Sequence, residues 1–417
     1  MNGLKGRKLL VLGGNALSCD IVRAAESMGL YTIVTDWNST KDSPAKLLAD
    51  EYWNVSLMDY DRLIELIKEK GISGIITGFT DSYLLPYQHL CELAGLPCYA
   101  TAEQFAQTLD KAVFKEQCKL SGVPVVPEYD LESFDPSGIS AKNKVIIKPV
   151  DNSGSRGIFI CEDPHSFKEQ VENSLSYSKS GHVLIEKYME CDDVSFEYKI
   201  QDGEAFLSSI CDRYIFKTAS RGSVTSKLIY PSSYTERYLA TVDANVKDML
   251  GRMGLRNGVL FLQAFADEEG FYFYEMGYRL SGGRHFIFTE NQNNSSSVKE
   301  LIRFALTGSM AEERLSEIND PMFKDVCSQL SVLCRSEYID RIVGREWIAG
   351  KEEIVDALYT YDEGDTVGEM GTSAQIAARF HIVARNMEHL DALTAEIQDR
   401  FRILNREGEN IILWENQ

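Results

Sequence analysis

Apolar residues along the first hundred positions come in short runs separated by longer amphipathic stretches. Lys8–Leu12 (KLLVL), Tyr31–Thr35 (YTIVT) and Gly74–Thr77 (GIIT) read as buried strands, while Ser18–Met28, Tyr60–Lys70 and Tyr83–Ala94 carry apolar positions at helical spacing. Strand and helix in alternation predict a doubly wound parallel sheet with right-handed crossovers. Thr101–Gly122 reads as one long helical segment, and Pro124 and Pro127 mark a boundary after it. The pattern then changes. A strand at Lys144–Ile147 runs into Lys148-Pro149, a polar loop follows over Asp151–Gly157, and Ile158–Cys161 resumes as a strand. After a helix at Ser166–Leu175 and a strand at His182–Glu186, Ser195–Ile200 and Ala205–Cys211 read as antiparallel strands, so this part is α+β. A third region with alternating Ile354–Tyr361 and a helix at Met387–Phe401 closes the chain. The expected fold class is therefore α/β and α+β: an N-terminal doubly wound domain (1–100), a central two-part domain (101–200 and 201–335) and a small C-terminal α+β domain (336–417).

The segment Leu260–Gly283, LFLQAFADEEGFYFYEMGYRLSGG, has two apolar runs flanking Asp267-Glu268-Glu269-Gly270, the signature of a β-hairpin. Gln263 stands on its first strand and Glu275, twelve positions later, on its second, with Arg279 just beyond. Hard cations take oxygen ligands, and an arginine fork grips a phosphoryl or carboxylate group through two parallel hydrogen bonds. The hairpin is thus a candidate wall for a Mg²⁺–triphosphate site. Lys148 closes a buried strand ahead of a loop containing Ser153, Gly154, Ser155, Arg156 and Gly157. Such a loop can turn backbone N–H groups inward beside the lysine's point charge, although no Walker sequence is present. Glu186-Lys187-Tyr188 ends the strand HVLIE; an extended segment ending in a carboxylate can pair with a purine edge, and Asp193 is placed to hold a ribose hydroxyl pair.

Charge narrows the partners. A formal net charge of −20, from 43 Lys+Arg against 63 Asp+Glu, argues against a broad nucleic-acid or anionic-membrane surface but leaves a nucleotide open. No apolar run approaches the roughly 20 residues of a membrane span. Nine cysteines without a CxxC pair or a histidine at zinc spacing suggest free thiols in a reducing cytoplasm. Asp36 ends its strand as a dinucleotide-binding aspartate would, yet Gly13-Gly14-Asn15-Ala16-Leu17-Ser18 lacks the last glycine of GxGxxG.

In the order Lys111, Lys148-Pro149, glycine-containing loop, Glu186-Lys187-Tyr188, Asp193, Gln263, Glu275, Arg279, the chain resembles the ATP-grasp superfamily. It is most similar to the branch of biotin carboxylase, the carbamoyl-phosphate synthetase large subunit and the purine-pathway enzymes. The resemblance covers nearly the whole chain, with residues 1–100 as the pre-ATP-grasp domain. It implies that Lys111 and Lys148 contact the phosphates of ATP and that Ser153, Gly154, Ser155 and Gly157 belong to the loop over them. Glu186 would accept from the adenine amine, the backbone of Lys187 and Tyr188 would complete the purine edge, and Asp193 would hold the ribose. Gln263 and Glu275 would bind Mg²⁺ or Mn²⁺, and Arg279, with Lys148, would act on the transferred group. The chain departs from the family at Glu275-Met276-Gly277-Tyr278-Arg279, where Gly277 replaces a metal-binding asparagine, and at Gln263, which replaces glutamate. The implied activity is an ADP-forming ligase that joins a small-molecule carboxylate to an amine, or a thiol, through an acyl-phosphate. Alternatives are a bicarbonate-using carboxylase or carbamoyl-phosphate-type enzyme and a nucleotide-binding protein without turnover. A homodimer is the assembly such relatives suggest.

Overall fold

The computed structural model describes residues 3–150, 157–217 and 223–414. Ser153, Gly154 and Ser155 of the expected phosphate loop lie outside the described residues, and Gly157 is the first described position after it.

The N-terminal region is a four-stranded sheet in the order Glu51–Trp53, Tyr31–Thr35, Lys8–Leu12, Gly74–Thr77, parallel throughout. Tyr31–Thr35, Lys8–Leu12 and Gly74–Thr77 are buried almost along their length because helices cover both faces, while the edge strand Glu51–Trp53 is partly exposed. The chain steps outward from Lys8–Leu12 in one direction and then returns to add Gly74–Thr77 on the other side. This reversal opens a crevice at the carboxyl ends of those two strands, where Gly13-Gly14 and Gly78–Asp81 emerge.

The expected helix over Thr101–Gly122 is two helices, Ala102–Leu109 and Lys111–Leu120. Asp110 makes the break: its backbone is extended and its carboxylate accepts from Ala112 N and Val113 N at 2.8 and 3.2 Å. Aspartate favours a cap over a helix interior because its short carboxylate satisfies orphan N–H groups of the first turn.

Residues from Glu128 to Lys187 fold as a small unit. A four-stranded sheet in the order Glu128–Tyr129, Val183–Lys187, Val145–Pro149, Phe159–Cys161 packs on the helix Phe167–Leu175. Its core, built from Ile139, Val145, Ile147, Cys161, Phe167, Val171 and Ile185, is separate from the main core.

An eight-stranded sheet forms the rest of the frame, in the order Phe271–Gly277, Gly258–Ala266, Asp192–Gln201, Glu204–Lys217, Ser223–Tyr230, Val326–Leu333, Ile376–Ala384, Ile354–Tyr359. The C-terminal strands therefore extend the central sheet through Val326–Leu333 and do not start a new one. The helix Met387–Arg400 covers this end and helps enclose its own apolar core.

Candidate functional site

Lys148 and Glu186 lie on neighbouring antiparallel strands, with Glu186 opposite Ile146 and Lys148 opposite Leu184. They are diagonal neighbours on one face, within reach of long side chains. Their ion pair is 2.6 Å long and the two side chains are 9% and 3% exposed. Lys115, on the helix Lys111–Leu120, bonds the other Glu186 oxygen and also Glu128 at 2.6 Å. A buried carboxylate is thus flanked by two lysines. Burial alone would raise the Glu186 carboxyl, but Lys148 and Lys115 override it and hold it below the usual range. Burial pulls the Lys148 ammonium down, Glu186 opposes, and Lys115 and Lys111 add to the lowering. Lys111, one turn before Lys115, so belongs to the same positive cluster.

The Lys187 N–H donates to Pro127 O at 2.9 Å and the Tyr188 N–H to Lys144 O at 3.0 Å. Both amides therefore hold the strand in place, and on this backbone a base would meet the carbonyls of this segment and the next amide, that of Met189.

At the hairpin, Gln263 stands directly opposite Glu275 and, on its other side, opposite Ser195. The register producing this is irregular. Ala266 pairs with Phe271, Phe265 with Tyr272 and Ala264 with Phe273, but between Ala264 and Gln263 the partner strand skips Tyr274. That one-residue bulge brings Glu275 into the row of Gln263. It also frees Tyr274, whose ring stacks on Phe265 at 4.6 Å and whose hydroxyl donates to Asp193 Oδ1 at 2.9 Å.

Asp193 is more heavily engaged than a ribose ligand needs to be. Arg213 Nη1 donates to Asp193 Oδ1 at 2.9 Å and to the Tyr274 hydroxyl at 2.7 Å, and Arg213 Nη2 reaches Thr225 Oγ1 at 3.3 Å. Burial raises the Asp193 carboxyl, with Arg213 and Tyr274 pulling the other way. Arg213, beside Glu275, is a guanidinium fixed by three partners.

Arg279 leaves the hairpin strand and meets the N-terminal domain. Its Nε and Nη2 donate to the two oxygens of Asp81, each at 2.6 Å, and its Nη1 to Leu280 O at 3.0 Å. The guanidinium lies 5.0 Å from the ring centre of Phe261. Phe261 is opposite Gly277 in the hairpin, and a Cβ added to Gly277 would lie 2.5 Å from Phe261 Cζ and closer still to Cε1. The aromatic ring fills the space an asparagine would need.

Several other buried charged or titratable residues are structural. Asp36 is buried, bonded to Lys46 at 2.8 Å, Ser43 Oγ at 2.5 Å and the Gly14 N–H at 2.8 Å, so it has no role toward a dinucleotide ribose. Arg284 is buried between Asp20 and Asp356, joining the N-terminal domain to the C-terminal strands. His285 accepts from or donates to Tyr230 at 2.8 Å in the core, and burial lowers it to about 3. Lys115 and Tyr274 were not singled out as ligands in the sequence, and of the two only Lys115 left a signal, its spacing of four from Lys111.

Residues 141–285, from the strand that carries Lys148 through the hairpin to the Arg279 loop, match the ATP-grasp domain. The chain carries an ATP-grasp domain. The small subunit of 2-oxoglutarate carboxylase from Hydrogenobacter thermophilus is 27% identical over 204 residues, 44% of this chain and 43% of that protein. The chain thus spans less than half of the length of that curated relative. Two solved structures share the architecture throughout. Phosphoribosylglycinamide synthetase from Anaerococcus prevotii is 16% identical with a TM-score of 0.76, covering 96% of this chain and 100% of that one. An L-amino acid ligase from Bacillus licheniformis is also 16% identical, with a TM-score of 0.77, covering 96% and 99%. Among the described residues no helix is long and apolar enough to cross a membrane.

Proposed function

We propose that this chain is an ATP-dependent, ADP-forming ligase that activates a small-molecule carboxylate as an acyl-phosphate and passes it to an amine. The observation that carries the reading is the row Gln263–Glu275, created by the bulge at Tyr274, with Arg279 four residues beyond.

A divalent cation fits this donor set. Among the described residues no group of three or more His, Cys, Asp or Glu could cage a metal. Two oxygens on paired strands suit Mg²⁺, which binds through one or two protein groups plus phosphate oxygens and water. When bound it neutralises phosphoryl charge. Lys148 and Lys111 supply further positive charge to the phosphates, and Glu186 keeps Lys148 aimed. A purine would rest against the Lys187 carbonyl and the Met189 amide. Arg279 would hold the carboxylate that attacks the γ-phosphate, after which the amine displaces phosphate. Such transfer demands positioning and charge neutralisation more than covalent participation.

Likeness to a 2-oxoglutarate carboxylase subunit favours a second reading, bicarbonate as the activated acid. ADP release and products measured with ATP, Mg²⁺ and mixed carboxylates and amines test the first reading; ADP release with bicarbonate alone supports the second. With the same substrates, Glu275→Gln should lower kcat/KM by about 100-fold, a loss of about 2.7 kcal/mol, and weaken Mn²⁺ binding to the complex with a non-hydrolysable ATP analogue, followed by electron paramagnetic resonance. Unchanged Mn²⁺ affinity would remove Glu275 from the metal wall.

A further inference from the structure

The Arg279–Asp81 pair joins residues 198 positions apart, and its placement is unusual for a structural ion pair. Asp81 begins the short helical turn Asp81–Tyr83 that follows Gly74–Thr77, at the carboxyl-end crevice of the doubly wound sheet, where that architecture binds ligands. The far wall is close by: a Cβ on Gly282 would be 3.9 Å from Leu17, in the turn after Lys8–Leu12. Gly13 in the same turn adopts φ +85°, and its Cβ position is taken up by the ring of Tyr83. Side-chain exposure is asymmetric, 12% for Arg279 and 42% for Asp81. Arg279 is fixed by Leu280 O and by the Phe261 ring, while Asp81 can swing toward solvent.

We propose that Asp81 and Arg279 form a reading head for a zwitterionic substrate, an α-amino acid or a close analogue, at the site of the ligase reaction. The inference rests on the ligase reading above. In this structure the Asp81 carboxylate sits in the fork of Arg279 in the bidentate geometry a substrate carboxylate would use. A ligand carboxylate that takes the fork releases Asp81 beside it. With a simple carboxylic acid, two anions then share one guanidinium, and like charges at that separation repel. With an amino acid, the ammonium group offers Asp81 a new partner and the local charge stays balanced. Selection arises because the bland acid leaves Asp81 unpaired.

The full-length protein, with Mg²⁺ and a non-hydrolysable ATP analogue, is titrated calorimetrically with each of the twenty L-amino acids and with the matching deaminated acids, such as propionate for alanine. ADP release is measured in parallel with ATP. At least one amino acid should bind about 10- to 100-fold tighter than its deaminated counterpart, the range for one hydrogen-bonded charge pair. Asp81→Asn should erase that preference by raising KM for the amino acid more than it lowers kcat, and Asp81→Glu should retain much of it. Equal binding of amino acids and deaminated acids, no binding of either, or a preference unchanged in Asp81→Asn overturns the inference. An amino acid that binds selectively without ADP release keeps the reading head and sinks the ligase; ADP release only with deaminated acids does the reverse.

Discussion

Replacing Gly277 by alanine is expected to destabilise the hairpin and disturb Arg279 together. The added methyl would sit 2.5 Å from Phe261 Cζ, well inside carbon contact distance, so the ring or the strand must move. The strand resists, because Phe261 and Gly277 are register partners and the next residue, Tyr278, is buried against Tyr99 and Phe105. The ring, only 5% exposed, is trapped between the hairpin and the Arg279 guanidinium. Overpacking of this kind costs about 1–3 kcal/mol. Phe261→Leu alone should cost about 1–2 kcal/mol through lost contacts. In the double variant the smaller side chain accommodates the methyl, so the combined loss should fall short of the sum by about 1 kcal/mol. Urea denaturation midpoints, converted with a common slope, measure all three. A Gly277→Ala protein as stable as the parent, or strictly additive losses in the double variant, would refute the steric account. Under the same reasoning Gly277→Asn restores a metal-binding side chain only when Phe261 is also shortened.

Three further outcomes follow from the buried charges. Glu186→Gln leaves Lys115 and Lys148 without their shared anion and should cost about 3–5 kcal/mol near neutral pH. Because the folded Glu186 carboxyl lies below its ordinary 4.5, its contribution is complete above that value and disappears as pH falls through the folded one, so the gap between parent and variant should narrow in acid urea melts. Lys46→Met isolates buried Asp36 and should destabilise the first domain by a similar ~3–5 kcal/mol, without creating or abolishing NADH fluorescence enhancement. His285 and His381 are buried and lowered to about 3 and 4, so the unfolded chain binds more protons below 6.5 and both histidines should weaken the fold as pH drops from 6.5 toward 4; NMR titration should find their rings neutral at pH 6.

Much of the architecture could be read from periodicity, since the first sheet is buried on both faces and its strands are nearly continuous apolar runs. The hairpin was equally legible: its turn is real, with Asp267 N bonded to Gly270 O at 3.1 Å. Its register was not. Counting back from the turn puts Tyr274, not Glu275, opposite Gln263, and only the bulge corrects this. No residue type announces a bulge at that point. Lys148 and Glu186 were recognisable as charged strand ends, but their mutual pairing and the arrival of Lys115 depend on how a helix docks on the small sheet. The break at Asp110 was misread because helical periodicity continues across it, and capping geometry decided locally. The Asp81 contact with Arg279 lies furthest from sequence reasoning, since it exists only after two domains meet.

The shared sheet has a practical consequence for trimming this protein. Cutting the chain after Leu333 would strip Ile376–Ala384 from its partner and leave Val326–Leu333, eight residues long and otherwise almost wholly buried, as a naked edge. An unprotected edge of that kind recruits further strands from neighbouring molecules. Such a fragment, though it would retain every proposed nucleotide contact, should precipitate or form β-rich oligomers, whereas excising the small unit around Glu128–Lys187 should leave a soluble remainder.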